Sequence, residues 1–325
     1  MSPSERSADA RFTEAWPTHP FARVLVDNDF AGDPDDLFQL AHHLLSPEVD
    51  VVGVVCSHLR AGDRFAPTDS VNIGYANAAR IVELTGADKS LLKKGAPRAL
   101  PDRVTPIASE ATEAIIEAAL APSDGTPLYV VCGGGLTDIA SAYLLRPAIA
   151  GRLTLIWIGG PEYPGLGYPP PGSGNPEYNL AIDPVAAQVV FNDSDLRLWQ
   201  VPRNVYRQCL LSRAELSRRL SACGALGEHL FGALAHVAAE STVATCPSTY
   251  VIGDQPLVLL TALQTFFEPD PASSDYVVRP VPTLDERGNA LASPQGRPAR
   301  VYTRVDTRLM FEDMFAKFEA APPPG

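Results

Sequence analysis

The chain has 325 residues, 46% of them hydrophobic and 20% charged, enough for a large α/β core. A formal net charge of −12 argues against nucleic acid as a partner, because polyanion binding draws on clustered Lys and Arg. No stretch of about 18 apolar residues exists and Met1 to Pro20 lacks the apolar segment of a signal peptide, so a cytoplasmic protein without a membrane partner is expected, its five scattered cysteines reduced.

In chain order, residues 1–20 are expected to form a flexible segment and 21–320 one α/β domain. Arg23 to Val26 predicts a buried strand, and Leu37 to Ala41 opens an apolar helix. Between them Asp27, Asp29, Asp33, Asp35 and Asp36 crowd into ten residues around a turn at Gly32 and Pro34. These acids fall at a strand's carboxyl end, where ligands bind in open α/β sheets. Carboxylates this close repel one another unless a cation neutralises them, and an oxygen-only set suits a hard ion such as Ca²⁺ or Mg²⁺. An EF-hand is excluded, since counting from Asp27 its fifth position is Ala31 and its twelfth Phe38.

Val49 to Cys56 predicts a second strand and Ser70 to Gly86 a helix. Leu128 to Cys132 is read as the third strand, running into Gly133-Gly134-Gly135 and a helix from Leu136, and Leu153 to Ile158 as the fourth. Such alternation predicts a mostly parallel, Rossmann-like open sheet covered on both faces. Pro161 to Pro176, rich in Pro, Gly and Tyr, predicts a lid or binding loop. Asp183 followed by Pro184 starts a helix, Leu196 to Pro202 is a strand, and helical spacing resumes from Arg213 to Ala239. A helix follows near Pro256, strands at 276–282 and 299–305 flank a turn at 285–288, and Arg308 to Glu319 closes the chain as a helix. The triple glycine is no nucleotide P-loop, since no Lys-Ser/Thr follows it.

Taken together, Asp27-x-Asp29 with Gly32 and Asp35-Asp36, then Gly95-Ala-Pro-Arg98, Gly133-Gly-Gly-Leu-Thr-Asp138, Glu177-Tyr-Asn179, Asp183-Pro184 and Asp254-Gln-Pro256 resemble the inosine-uridine-preferring nucleoside hydrolases over roughly residues 23 to 265. The resemblance implies hydrolysis of the N-glycosidic bond of a ribonucleoside to ribose and free base, with a tightly held Ca²⁺ and a homodimeric or homotetrameric assembly. By matched position, Asp29 would bind Ca²⁺ and take the proton of the attacking water. Asp36, Asp254 and the Gly133 backbone carbonyl would complete the metal set. Asp35, Glu177 and Asn179 would hold the ribose hydroxyls, which predicts preference over 2′-deoxyribose, because a buried polar site rejects an analogue lacking the group.

The pattern is departed from in three places. Two inserted residues leave Asp33 without an assigned role, Gly253 stands where many members carry a proton-donating His, and Cys56-Ser57-His58-Leu59-Arg60 replaces the family's Asn after the second strand. His58 as acid, Arg60 as a base or phosphate ligand and Tyr250 as a stacking partner are the candidates for the leaving-group side. Two other functions compete: a non-catalytic nucleoside or sugar-binding protein, and a Mg²⁺-dependent phosphatase of haloacid-dehalogenase type with Asp27 as nucleophile.

Overall fold

Ala22–Asn28 (β1) is an aliphatic run ending in Asp27 and Asn28, and it lies centrally, paired in parallel with Val49–Cys56 (β2). Its other neighbour is not the next strand along the chain, Leu92–Lys94 (β3), but the one after it, Leu128–Cys132 (β4). Thr154–Ile158 (β5) and Arg197–Val201 (β6) continue outward in parallel. Leu210–Ser212 (β7) and Thr249–Val251 (β8) form a separate antiparallel pair. The chain re-enters the main sheet as Asp275–Pro280 (β9). The hairpin Thr283–Leu284 (β10) and Ala290–Leu291 (β11) then leads to Pro298–Arg304 (β12), which is parallel to β6 and antiparallel to β9.

The sheet order β3-β2-β1-β4-β5-β6-β12-β9 bears out the mostly parallel architecture. From β1 the chain builds toward one edge, and from β4 toward the other. At such a reversal the flanking connections leave on opposite faces and open a crevice beyond the strand ends, the usual ligand site of these sheets. Asp27 and Asn28 end β1 at this reversal, and Gly133 directly follows β4.

This computed structural model describes residues 19–66, 68–122, 125–172, 176–240, 248–265 and 274–321. Most of the expected N-terminal flexible segment, Cys246 and parts of the loops at 161–176 and 240–254 lie outside them. Apolar side chains fill both faces of the sheet: Phe38, Leu40, Ile81, Leu257 and Phe315 pack on one, and Ile115, Ile139, Leu155, Trp157 and Ala186 on the other. Among the described residues no helix is long and apolar enough to cross a membrane.

Two expectations need correction. The strand read as third is the fourth, because β3 and the helix Glu110–Leu120 precede it. With only Leu92 buried, β3 is too short to display a periodicity. The stretch 213–239 is two helices, Arg213–Leu220 and Gly224–Glu240, parted at Ser221 to Cys223 by a turn that Gly224 leaves with φ +55°. That backbone conformation is cheap only for glycine.

Candidate active site

The turn after β1 is closed by the Gly32 N–H donating to the Asp29 carbonyl at 2.7 Å, and the helix Asp35–Leu44 begins at once. This brings Asp29 and Asp36 into the interior: Asp29 Oδ2 and both Asp36 carboxylate oxygens are buried without a hydrogen-bond partner among the described residues. Asp254 arrives from β8 through Gly253, just ahead of the helix Pro256–Ala262. Asn28 joins the two segments. Its Nδ2 donates to Asp254 Oδ2 at 2.6 Å, and its Oδ1 accepts the Asp29 N–H at 3.0 Å. Behind it, Gln39, His43 and Thr261 continue a fully buried hydrogen-bonded chain.

Burial pushes the Asp29 and Asp36 carboxyls well above the usual carboxylate range, and each is raised further by the other acids, Asp254 among them. Asp254 is pushed up to about 7, mainly by burial, against the lowering effect of the Asn28 amide. Only a proton or a cation relieves such a cluster. The donor set fits a hard cation: it is all oxygen, and three of those oxygens are buried and unpartnered. Among the described residues no three His, Cys, Asp or Glu side chains are drawn into a closed chelate.

Gly133 lies against these groups so closely that a Cβ there would run into the Asp254 carboxylate and the Asn28 amide. Its carbonyl accepts Asn179 Nδ2 at 2.6 Å, which leaves a second lone pair. Asn179 also donates to the Ile158 carbonyl at 2.8 Å. Glu177 caps the helix Tyr178–Ile182: Oε2 accepts the N–H groups of Leu180 at 3.1 Å and Gly160 at 2.8 Å, and Oε1 accepts the Tyr206 hydroxyl at 2.6 Å. Asp35 Oδ2 accepts the Gly253 N–H at 2.8 Å. Asp29, Asp33, Asp35, Gly133, Glu177, Asn179 and Asp254 thereby line one cavity of about 250 Å³.

The remaining candidates sit elsewhere. His58 is buried, with Nε2 2.9 Å from Thr137 Oγ1 and Nδ1 2.8 Å from the Leu59 carbonyl, and it faces a separate cavity together with Arg60. Arg60 reaches toward Asp63 at 3.8 Å. Tyr250 donates its hydroxyl to Asp33, which ties β8 to the acidic turn. Asp183 caps its helix through the Ala186 N–H and accepts from Thr137, and so takes no place among the lining residues.

Residues that sequence reasoning passed over complete the walls: Asn28 beneath, and Arg64, Phe65, Tyr178, Tyr206 and Arg207 around the cavity. An amide between two aspartates at a strand end is a readable signal for Asn28. Tyr206 and Arg207 lie in a stretch with no motif, and only the turn after β6 brings them in.

The family described as inosine-uridine preferring nucleoside hydrolase matches residues 24–312. No curated relative matches the chain. A purine-preferring ribonucleoside hydrolase from Gardnerella vaginalis is similar with a TM-score of 0.71 and 18% identity, covering 92% of this chain and 98% of that one. An inosine-guanosine nucleoside hydrolase gives 0.69 and 17% over 92% and 99%. A plant nucleoside hydrolase gives 0.67 and 18% over 93% and 100%. At these identities the structural likeness is one of fold.

Proposed function

The chain belongs to the inosine-uridine preferring nucleoside hydrolase family, an N-glycosyl hydrolase family, and from that premise we propose that it cleaves a ribonucleoside to ribose and free base with Ca²⁺ as its cofactor. The observation that carries this reading is the convergence of Asp29, Asp36 and Asp254, the first two with buried oxygens unpartnered among the described residues, on the crevice between β1 and β4. Asp29, Asp36, Asp254 and the free lone pair of the Gly133 carbonyl would hold the ion, which when bound acidifies a water and anchors the ribose diol.

The chain's own residues do the rest. Asp29 accepts the proton of the attacking water at the carboxylate oxygen that has no other partner. Asp35 accepts a hydrogen bond from the ribose 2′-hydroxyl, and Glu177 and Asn179, fixed by Gly160, Tyr206 and Gly133, orient the sugar. Charge developing on the ribosyl ring is stabilised by these preorganised anionic oxygens. The phosphatase reading lacks its nucleophile: Asp27 is 1% exposed, lies beside Cys132 and does not line the cavity.

A panel of ribonucleosides, assayed for released base and ribose, tests the proposal. Turnover is expected in Ca²⁺, abolished by chelation, and lowered by about 10³-fold or more in Asp29→Asn, with 2′-deoxyribonucleosides far slower. Ca²⁺ at 100 times its Kd should stabilise the fold by about 2.7 kcal/mol in thermal denaturation. Binding without turnover would favour a receptor, and a deoxynucleoside cleaved as fast as its ribonucleoside would rule out the ribose-diol mechanism.

A further inference from the structure

A departing nucleobase carries away the electron pair of the C1′–N bond, and something in the site must receive that charge. The usual donor is an imidazole, yet none of the chain's six histidines lines the cavity. His58 is turned to Thr137, and His42 and His43 are fully buried on the helix Asp35–Leu44. The two phenols in the wall are committed as well: Tyr178 donates to Asp63 Oδ2 at 3.0 Å and Tyr206 to Glu177. What the wall does offer is positive charge. Arg64 and Arg207 both line the cavity, and among the described residues neither guanidinium has a hydrogen-bond or ion-pair partner. Arg207 follows Tyr206, the residue that holds Glu177 on the sugar side. Arg64 comes from a different wall, the loop after β2, with its guanidinium 4.5 Å from the centroid of the Phe65 ring, itself a lining residue.

Resting on the nucleoside-hydrolase reading, we propose that Arg64 is a catalytic residue: presented beside the Phe65 ring, its guanidinium receives the departing base as an anion, in place of a general acid. The base stacks against Phe65 and its developing negative charge meets a cation that stays protonated throughout. In the balanced step, water oxygen bonds to C1′ as the C1′–N bond breaks. The electron pair of that bond leaves on the base nitrogen, paired with Arg64, and the water's proton passes to Asp29. The base takes a proton from solvent on release, and Asp29 returns its own, so the sum is nucleoside plus water giving ribose plus neutral base. Charge stabilisation of this kind is felt in proportion to the charge the leaving group must bear.

The test compares Arg64→Gln and Arg64→Lys with wild type on uridine and inosine and on p-nitrophenyl riboside, whose phenolate departs without assistance. Arg64→Gln should lower kcat/KM on the nucleosides by about 10²-fold or more and on p-nitrophenyl riboside by no more than about threefold, with Arg64→Lys in between. A plot of log kcat/KM against leaving-group pKa should steepen in Arg64→Gln. Equal losses on both substrate types would make Arg64 a sugar-positioning or loop-shaping residue and overturn the proposal, as would nucleoside turnover unchanged in Arg64→Gln. Wild type that cleaves neither substrate would instead refute the hydrolase reading on which it rests. Arg64 is solvent-exposed, so the variants are expected to keep the wild-type fold, which circular dichroism checks.

Discussion

The Asp254 carboxylate is buried beside Asp33 and Glu177 and has one amide, from Asn28, to hold it. With a native value near 7, against about 3.9 in an unfolded chain, the ion-free native state retains a proton that the unfolded chain gives up. The stability this proton contributes is complete below about pH 4 and lost as pH rises through about 7. Asp254→Asn should therefore be more stable than wild type at pH 8 without metal, by up to a few kcal/mol, and nearly equal to it at pH 4, while losing hydrolysis. Denaturant titrations at the two pH values check this, and a variant less stable at pH 8 would show the field to be compensated already. The aspartates were legible because charge density needs no context. Asn28 was not, because its task depends on a residue 226 positions away.

At the scale of the element, the interior strands were legible as buried β-branched runs, and Val49–Cys56 and Leu128–Cys132 have the bounds their sequence predicts. The short edge strand β3 was not, since three residues ending in two lysines show no alternation and such charge is typical of an edge. The helix break before Gly224 was equally hidden, because apolar spacing continues through it and the decision lies in one backbone angle. A Cβ on Gly224 would meet nothing within 4 Å, so Gly224→Ala isolates that angle. It should cost about 1 kcal/mol in chemical denaturation. A neutral result would mean that packing of the two helices, not the glycine, sets the turn.

Across the whole molecule, the helix bearing Asp36 is clamped to the last helix, Thr307–Glu319, through His42. Its Nε2 lies 2.8 Å from Asp313 Oδ2, its Nδ1 lies 2.8 Å from Gln255 Oε1, and Asp313 also pairs with Lys317 at 2.8 Å. Burial lowers the pKa of both His42 and His43, the latter further depressed by His42. Neutral imidazoles belong to the native state, so their contribution is present above the ordinary value of about 6.5 and lost as pH falls toward the depressed native one. On acidification below about pH 6.5, wild type should lose stability relative to His43→Gln. Parallel slopes in wild type and variant would show that His43 takes up no proton on unfolding there. The raised carboxyls run in the opposite sense over the same interval, so the difference between variant and wild type, not the wild-type slope alone, reads the imidazole.

The sequence by itself determined the strand–helix alternation, the acidic donor set and the family motifs, because periodicity and residue chemistry are local properties. Tertiary structure alone decided which of these groups meet. Reversal of strand order between β1 and β4 opens the crevice, a glycine without a Cβ lets Asp254 close onto Asn28, and burial sets the carboxyl charges. The same folding turned His58 to a different cavity and set Arg64 and Arg207 into the walls around the aspartates, since distance and desolvation arise only once distant segments are packed together.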